Sequence, residues 1–416
     1  MIEIKPAPNF SIQCPSCGYE SVSSGKLFFQ GMHILREEMC EGCGLDYFAT
    51  IPIGHDAHFP TQFSKDYQFV SYVPRAKDWL AMPLIEGMKE MSARKVTFTL
   101  TSRQLHKEVV IVNCLDNCFG HVFTKLWNTY SLMDNKQDVR VIVLIPSQFR
   151  WLLPEGVDEA WLVHLPLKLC HIRIQNLDKW IKDQLLRFNR VFLCETYTHL
   201  DQSLYVDVEK MLRISRFELS TFSSKRPCIT FVLREDRFWH GSKLLSIVIN
   251  AFTKIGKIKT LKFFLVSRQN DLINRTAKNI LDKIPHAHIF ATGLGKTGKL
   301  WTKITDLRVF EISYETEQKW NSTYAKSHLV IGIHGSNMLI PSGLAAGFIE
   351  ILPRHKLDHI GEDTLLPYTN RFLHFLGRYI DEYATPKLAA LHAVSMIRHF
   401  PYFYKNTIQK PEGFRE

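Results

Sequence analysis

The sequence predicts an α/β fold: two Rossmann-like units in tandem, preceded by a small cysteine-rich segment. Three observations carry this prediction. Apolar runs alternate with amphipathic segments from about Lys95 onward, the alternation starts afresh after the polar stretch SSKRP, and two CxxCG pieces stand apart near the start. Alternating strand and helix patterns are the signature of a parallel sheet covered by crossover helices. A chain of 416 residues exceeds the usual size of one domain, which agrees with more than one unit. With 45% hydrophobic and 22% charged residues, the composition excludes disordered and fibrous classes.

The cysteine-rich segment and its arm are assigned to 1–60. The pieces CPSCG and CEGCG supply Cys14, Cys17, Cys40 and Cys43, with 22 residues between the two pairs, a separation that a hairpin spans. Each knuckle turns both thiolates toward one point, and Gly18 and Gly44 let the backbone curl around a metal. Four sulfurs fill a tetrahedral zinc shell and leave no open position, so a structural zinc ribbon is expected. The other five cysteines are scattered without a disulfide framework.

The first α/β unit is assigned to 61–216. VTFTL, EVVIVNC, VRVIVLIP, EAWLVHLP and RVFLCE read as strands, and FGHVFTKLWNTYSLM and NLDKWIKDQLLRFN as helices. In the first of those helices Phe119, Val122, Phe123, Leu126, Trp127 and Tyr130 recur at helical spacing and form the core-facing stripe. The second unit is assigned to 217–384. There CITFVL, LKFFLVS, HAHIFA, LRVFEIS, LVIGI and FIEIL read as strands, separated by four helical patterns. The remaining segment, 385–416, contains TPKLAALHAVSMIRHFPYFYKN, a helix expected to pack back on the first unit. Its aromatic and basic mixture also suggests a peripheral membrane contact.

The formal charge of +11 favours anionic ligands without choosing among them. Basic residues form no block like a nucleic-acid-binding tail, so nucleic acid is not the expected partner. No run of about 18 apolar residues occurs, and the start MIEIKPAPNFSIQCP lacks the features of a signal peptide, so a cytoplasmic location is expected.

Ligands of open parallel sheets sit beyond the carboxyl ends of strands. Two segments of the second unit suit that place. After CITFVL come Arg234 and Arg237, two guanidiniums suited to phosphate oxygens, although Glu235 or Asp236 could occupy them in a local salt bridge. After LVIGI come His334, Gly335, Ser336 and Asn337, where a glycine turn admits a ligand and Ser336 or Asn337 serves as helix cap or anion donor. Glu350, inside the strand FIEIL, needs a partner, which the hydroxyls of a ribose or a structural group would supply.

The stretch YETEQKWNSTYAKSHLVIGIHGSNMLIPSGLAAGFIEILP resembles the donor-side signature of glycosyltransferase family 61 and its relatives, with Glu317, Gln318, Gly332, His334, Gly335 and Glu350 at the matching places. LREDRFW is similar to the arginine-bearing strand end of that family, and NCFGHVFTKLWN to its helix start, with Asn117 and His121 matching. The resemblance spans roughly Val109 to Pro353 and leaves out the cysteine knuckles. It implies two Rossmann-like domains facing across a cleft, the GT-B arrangement. The implied activity is transfer of a hexosyl or pentosyl group from a nucleotide-sugar to a glycan, lipid-linked or protein acceptor, inverting and without a catalytic metal. In that scheme Arg234, Arg237 and the turn at Gly335 to Asn337 hold the diphosphate, Glu350 and Glu317 lie on the donor side, and His121 or Asp116 takes the acceptor proton. His121 is equally explained as a hydrogen-bonded helix-start residue. The competing function is a zinc-ribbon nucleic-acid-binding or scaffold protein without catalysis.

Overall fold

A computed structural model describes residues 1–8, 10–21, 25–90, 94–101, 107–135, 140–200 and 206–409. The chain divides into two units, 1–200 and 201–416. This division lies ahead of the expected boundary at 216/217, and the reason is packing. Val208, Met211, Leu212 and Phe217 are buried, the Phe217 N–H donates to the Leu344 carbonyl, and the Phe222 carbonyl meets His328 Nε2 at 2.9 Å. The residues just before SSKRP therefore belong to the second unit.

The first unit holds a six-stranded sheet. Its four central strands are parallel and lie in the order Arg190–Leu193, Glu108–Asn113, Val141–Pro146, Glu159–Val163. Ile2–Lys5 and Phe98–Leu100 close the two edges in antiparallel fashion. The central strands are apolar on both faces, as a covered parallel sheet requires. The helix Phe119–Asn135 follows the first central strand, and Val122, Phe123, Leu126 and Tyr130 of the expected stripe are buried.

The segment assigned to 1–60 is not a separate body. Ile2–Lys5 is a strand of the main sheet, and an antiparallel meander of Leu27–Gln30, His33–Met39, Asp46–Thr50, Thr61–Ser64 and Val70–Tyr72 runs past the expected boundary. Ile2, Ile4, Phe29, Ile34, Ile51 and Ile53 share one hydrophobic cluster with Val109, Ile111, Trp161 and Val191. Apolar area that a 60-residue ribbon could not bury alone is buried against the α/β unit.

The second unit is an all-parallel sheet of six strands. In chain order these are Cys228–Arg234, His288–Leu294, Ile304–Asp306, Leu329–Ile333, Gly347–Leu352 and Gly377–Asp381, and their spatial order is 3-2-1-4-5-6. That is the Rossmann order, with a topological switch between the first and fourth strands. Three expectations need correction. LKFFLVS begins the helix Lys262–Lys283, because Leu265, Val266, Leu272, Ile273 and Ile280 recur at helical spacing and are buried. LRVFEIS contributes only a bridge between Val309 and Leu294, and the third strand is Ile304–Asp306. Gly377–Asp381, not anticipated, adds the sixth strand.

The closing helix, Pro386–Thr407, expected to pack on the first unit, belongs to the second and packs into its core. Ala389, Ala390, Ala393 and Met396 join Leu272, Ile273, Ala277 and Ile280 in one core, and Arg398 donates to the Lys283 carbonyl at 2.6 Å. Two of its aromatic residues are engaged by stacking, Phe400 on Phe222 and Phe403 on Phe375, while Tyr402 is exposed. No helix among the described residues is long and apolar enough to cross a membrane.

Trp239, which the sequence places beside the arginines at the first strand tip, is fully buried, and its indole N–H donates to the Ala384 carbonyl at 3.1 Å. It is a core residue joining the strand tip to the closing helix. Trp239→Ala should cost about 3–5 kcal/mol of unfolding free energy, measured by urea denaturation.

Candidate functional site

The switch point of the second sheet brings together the two segments singled out above. Arg234 ends the first strand, and its Nη1 donates to Asn337 Oδ1 at 2.9 Å. Its other edge is taken by Asp236 through Nε and Nη2. Of the two alternatives the sequence left open for Arg234, the local salt bridge with Asp236 is present, and a bond to the turn, not anticipated, accompanies it. Arg237 Nη1 donates to the His334 carbonyl at 3.0 Å. Between them sits Gly335 at φ +147°, and a Cβ there would fall 2.2 Å from Arg234 Nη1 and 3.0 Å from Arg237 Nη1. Only glycine lets two guanidiniums converge on this turn.

Ser336 and Asn337 form a 3-10 turn, Ser336–Met338, leading into the short helix Leu339–Leu344. Asn337 does not cap that helix, because its Oδ1 accepts from Arg234, while its buried Nδ2 has no hydrogen-bond partner among the described residues. His334 is buried and held on both sides, with Nδ1 2.8 Å from Glu350 Oε1 and Nε2 3.3 Å from Asp363 Oδ2. The partner that Glu350 required is therefore internal. Its second oxygen, Oε2, is without a hydrogen-bond partner among the described residues. Burial raises the Glu350 carboxyl above its ordinary value against the opposing pull of His334 and the Gly335 N–H. His334, Glu350 and Asp363 could together hold a metal ion, as could the groups described below.

A further loop reaches this strand end unannounced. Gly293, near the end of the second strand, and Gly295 and Gly298 just after it form a G-x-G-x-x-G pattern, GLGKTG, that leads to a strand rather than a helix. Glu235 ties the loop down, accepting from the Thr297 N–H at 2.7 Å and pairing with Lys262 at 3.2 Å. The loop borders a cavity of about 240 Å³ lined by Asn270, Asn274, Thr297, Gly298 and Lys299, with Phe263 at its side. The repeat was detectable in the sequence; its tie to Glu235, across 62 positions, was not.

The first unit has its own switch point, between Glu108–Asn113 and Arg190–Leu193, since later strands are laid down on opposite sides of the first. Asp116 and His121 follow the former strand, and His199 follows the latter. His55 joins them from the turn Gly54–Ala57, which is held by a 2.6 Å bond from the Gly54 N–H to the Glu195 carbonyl. His121 Nδ1 lies 3.0 Å from Asp116 Oδ1 and 3.1 Å from His55 Nε2, while His55 Nδ1 lies 3.3 Å from Thr198 Oγ1. One donor at His121 Nδ1, shared by Asp116 and His55, satisfies this network and leaves His121 Nε2 as the proton-accepting nitrogen.

Asp116 is fully buried, so it is no proton acceptor for an external molecule, contrary to one expectation. Burial would raise its carboxyl, but the Lys125 ammonium at 2.8 Å and His121 hold it well below the usual carboxylate range. Its contact with His121 Nδ1 fixes that ring from behind. Burial pushes His55 down to about 2, so its imidazole is neutral across the working pH range. His55, His199 and Lys125 were missed in the sequence because nothing in their spacing marks them. A lysine on the buried face of a helix was the available signal, since such a charge demands a carboxylate.

The four cysteines converge as expected. Cys14 Sγ lies 3.7 Å from Cys43 Sγ, and Cys17 Sγ 3.5 Å from Cys40 Sγ. A tetrahedron of sulfurs about 2.3 Å from zinc has edges of roughly 3.8 Å, so the set fits that ion. Matching bonds from Gly18 N–H to Cys14 and from Gly44 N–H to Cys40 shape the knuckles, both glycines at positive φ.

No protein-family model matches the chain, and no curated protein matches it significantly. Among solved structures, one described as the crystal structure of TarM aligns over 98% of this chain and 76% of its own, at 9% identity and a TM-score of 0.23. Another, described as trehalose-6-phosphate from E. coli bound with UDP-2-fluoro glucose, aligns over 73% of each chain at 11% identity and a TM-score of 0.18. At these scores neither alignment bears on fold or function.

Glu317, in the first turn of the helix Tyr314–Tyr324, carries a pH signature. Burial pushes its carboxyl from 4.5 up to about 7, so within that window the folded chain keeps a proton that the unfolded chain has released. Stability contributed by this proton is present below about 4.5 and is lost as pH rises toward 7. Glu317→Gln should therefore raise the Tm at pH 8 and leave it nearly unchanged at pH 4, as read by thermal unfolding at the two pH values.

Proposed function

We propose that the chain is a glycosyltransferase that moves a sugar from a nucleotide-sugar donor to a hydroxyl acceptor with inversion. The observation that carries this reading is Gly335 wedged between the Arg234 and Arg237 guanidiniums at the switch point of a 3-2-1-4-5-6 sheet. A backbone turn beside two guanidiniums suits a diphosphate, and in transfer they would stabilise the charge growing on the departing nucleoside diphosphate. His334, oriented by Glu350 and Asp363, shapes the turn. Glu350 is as fully buried as Asp116, so it orients His334 rather than meeting a ribose hydroxyl, and Glu317 stands on the donor side.

In the reaction the acceptor oxygen bonds to the anomeric carbon, the carbon–oxygen bond to phosphate breaks, and the acceptor proton passes to a base. We assign the base to His121 Nε2, with Asp116 bonded behind its Nδ1 as the orienting carboxylate. The leaving group is served by guanidiniums rather than a catalytic metal, in keeping with a sequence that has no Asp-x-Asp pair. Cys14, Cys17, Cys40 and Cys43 would hold a structural zinc ion. The acceptor class, glycan, lipid-linked or protein, follows from the resemblance rather than from the site.

Titration calorimetry with UDP-, GDP-, CMP- and dTDP-sugars should find saturable binding of one class, weakened about tenfold or more in Arg237→Ala. His121→Ala should leave that binding intact while lowering kcat about 10²–10⁴-fold. Failure of every nucleotide-sugar to bind would sink the reading. Elemental analysis should find one zinc per chain, absent in Cys40→Ser, and chelation should lower the Tm without abolishing the main unfolding transition.

A further inference from the structure

The helix Lys243–Lys254, KLLSIVINAFTK, departs from the usual pattern of a surface helix. It carries six large apolar residues, yet its only buried residue is Ser246. Leu245, Ile249 and Phe252 are half-buried, facing the protein at helical spacing. Leu244, Ile247 and Val248 form a second apolar stripe on the outer side, exposed by 77%, 59% and 43%. The surface continues through Ile255, 62% exposed, to Phe263 and Phe264, 75% and 53% exposed, before Leu265 and Val266 turn inward.

Charge accompanies this apolar surface. Lys243, Lys254, Lys257, Lys259 and Lys262 are all exposed, and no Asp or Glu occurs between Asp236 and Asp271. Lys262 pairs with Glu235, whereas the other four have no ion pair among the described residues. A helix apolar around most of its surface needs a nonaqueous neighbour, and cations flanking an apolar stripe match lipid acyl chains bordered by anionic headgroups. The 3-10 turn Ile258–Leu261, with lysines on both sides and no buried residue, extends the same apolar and basic surface.

We propose that Lys243–Lys254 and the following segment through Phe264 form a docking surface for an anionic lipid bilayer. Leu244, Ile247, Val248, Ile255, Phe263 and Phe264 enter the interface, and Lys243, Lys254, Lys257 and Lys259 contact the headgroups. Phe263 also borders the cavity beside the GLGKTG loop, so docking places that strand end next to the membrane. This surface is separate from the closing helix, and it does not depend on the catalytic reading.

The test is cosedimentation of the full chain with vesicles of phosphatidylcholine alone or mixed with phosphatidylglycerol. Binding to the mixed vesicles only, weakening as sodium chloride rises, is the expected result. Leu244→Ser combined with Ile247→Ser and Phe263→Ser should reduce binding about tenfold or more, as should Lys254→Ala with Lys257→Ala and Lys259→Ala. Neither variant should lower the Tm, because the side chains removed are exposed. Absence of binding to anionic vesicles overturns the proposal, and so does wild-type binding by the apolar variant. A fall in Tm in that variant would show that the residues pack inward. Sedimentation velocity showing a dimer that the apolar variant dissolves would reassign the face to self-association.

Discussion

The handedness of parallel crossovers governs this molecule. A strand, its crossover and the next parallel strand form a right-handed unit, so continuing a sheet on its other side sends the covering helices to the opposite face. At the reversal, the loops leaving two adjacent strands diverge and a crevice opens at their carboxyl ends. The constraint operates in both units. In the second it brings Arg234 beside Asn337, and in the first it brings His121 beside His199. None of these pairs is close in sequence, and each is close in space because the strands beneath it are neighbours.

Charge burial is the second organising theme. The buried acidic groups described at the two switch points are each met by a partner from another element: Asp116 has the Lys125 ammonium, and Glu350 has a hydrogen bond to His334. Removing one partner of such a pair leaves an uncompensated charge in a dry environment, which costs more than the pair contributes. The arrangement therefore holds side chains in one orientation more than it adds stability. His121 illustrates the consequence, since a carboxylate fixed by Lys125 holds its Nδ1 edge.

The cysteine knuckles and the α/β unit behind them show how a small element is stabilised by a larger one. The Cys14 and Cys40 thiols are buried beside Ile12, Tyr47 and Ala49, while Ile2, Ile34 and Ile51 belong to the core of the first sheet. Two cores on one meander account for a segment that is distinct in composition and yet continuous in structure.

Most strands of both sheets were legible because covered parallel strands are unbroken apolar runs, and the CxxCG spacing alone announced the four-sulfur cluster. LKFFLVS misled for the same reason: a short apolar run lacks the length needed to tell a strand from a helix start, and only burial of Leu265 and Val266 beneath exposed Phe263 and Phe264 settles it. Local sequence also marked Gly335 as a turn and Arg234, Arg237 and His121 as strand-end or helix-start groups. What tertiary structure alone decided was their company. Strand order set Gly335 between two guanidiniums, sealed Trp239 and Asp116 inside, and gathered His55, His121 and His199, because those contacts depend on which strands are neighbours, a quantity that local periodicity does not encode.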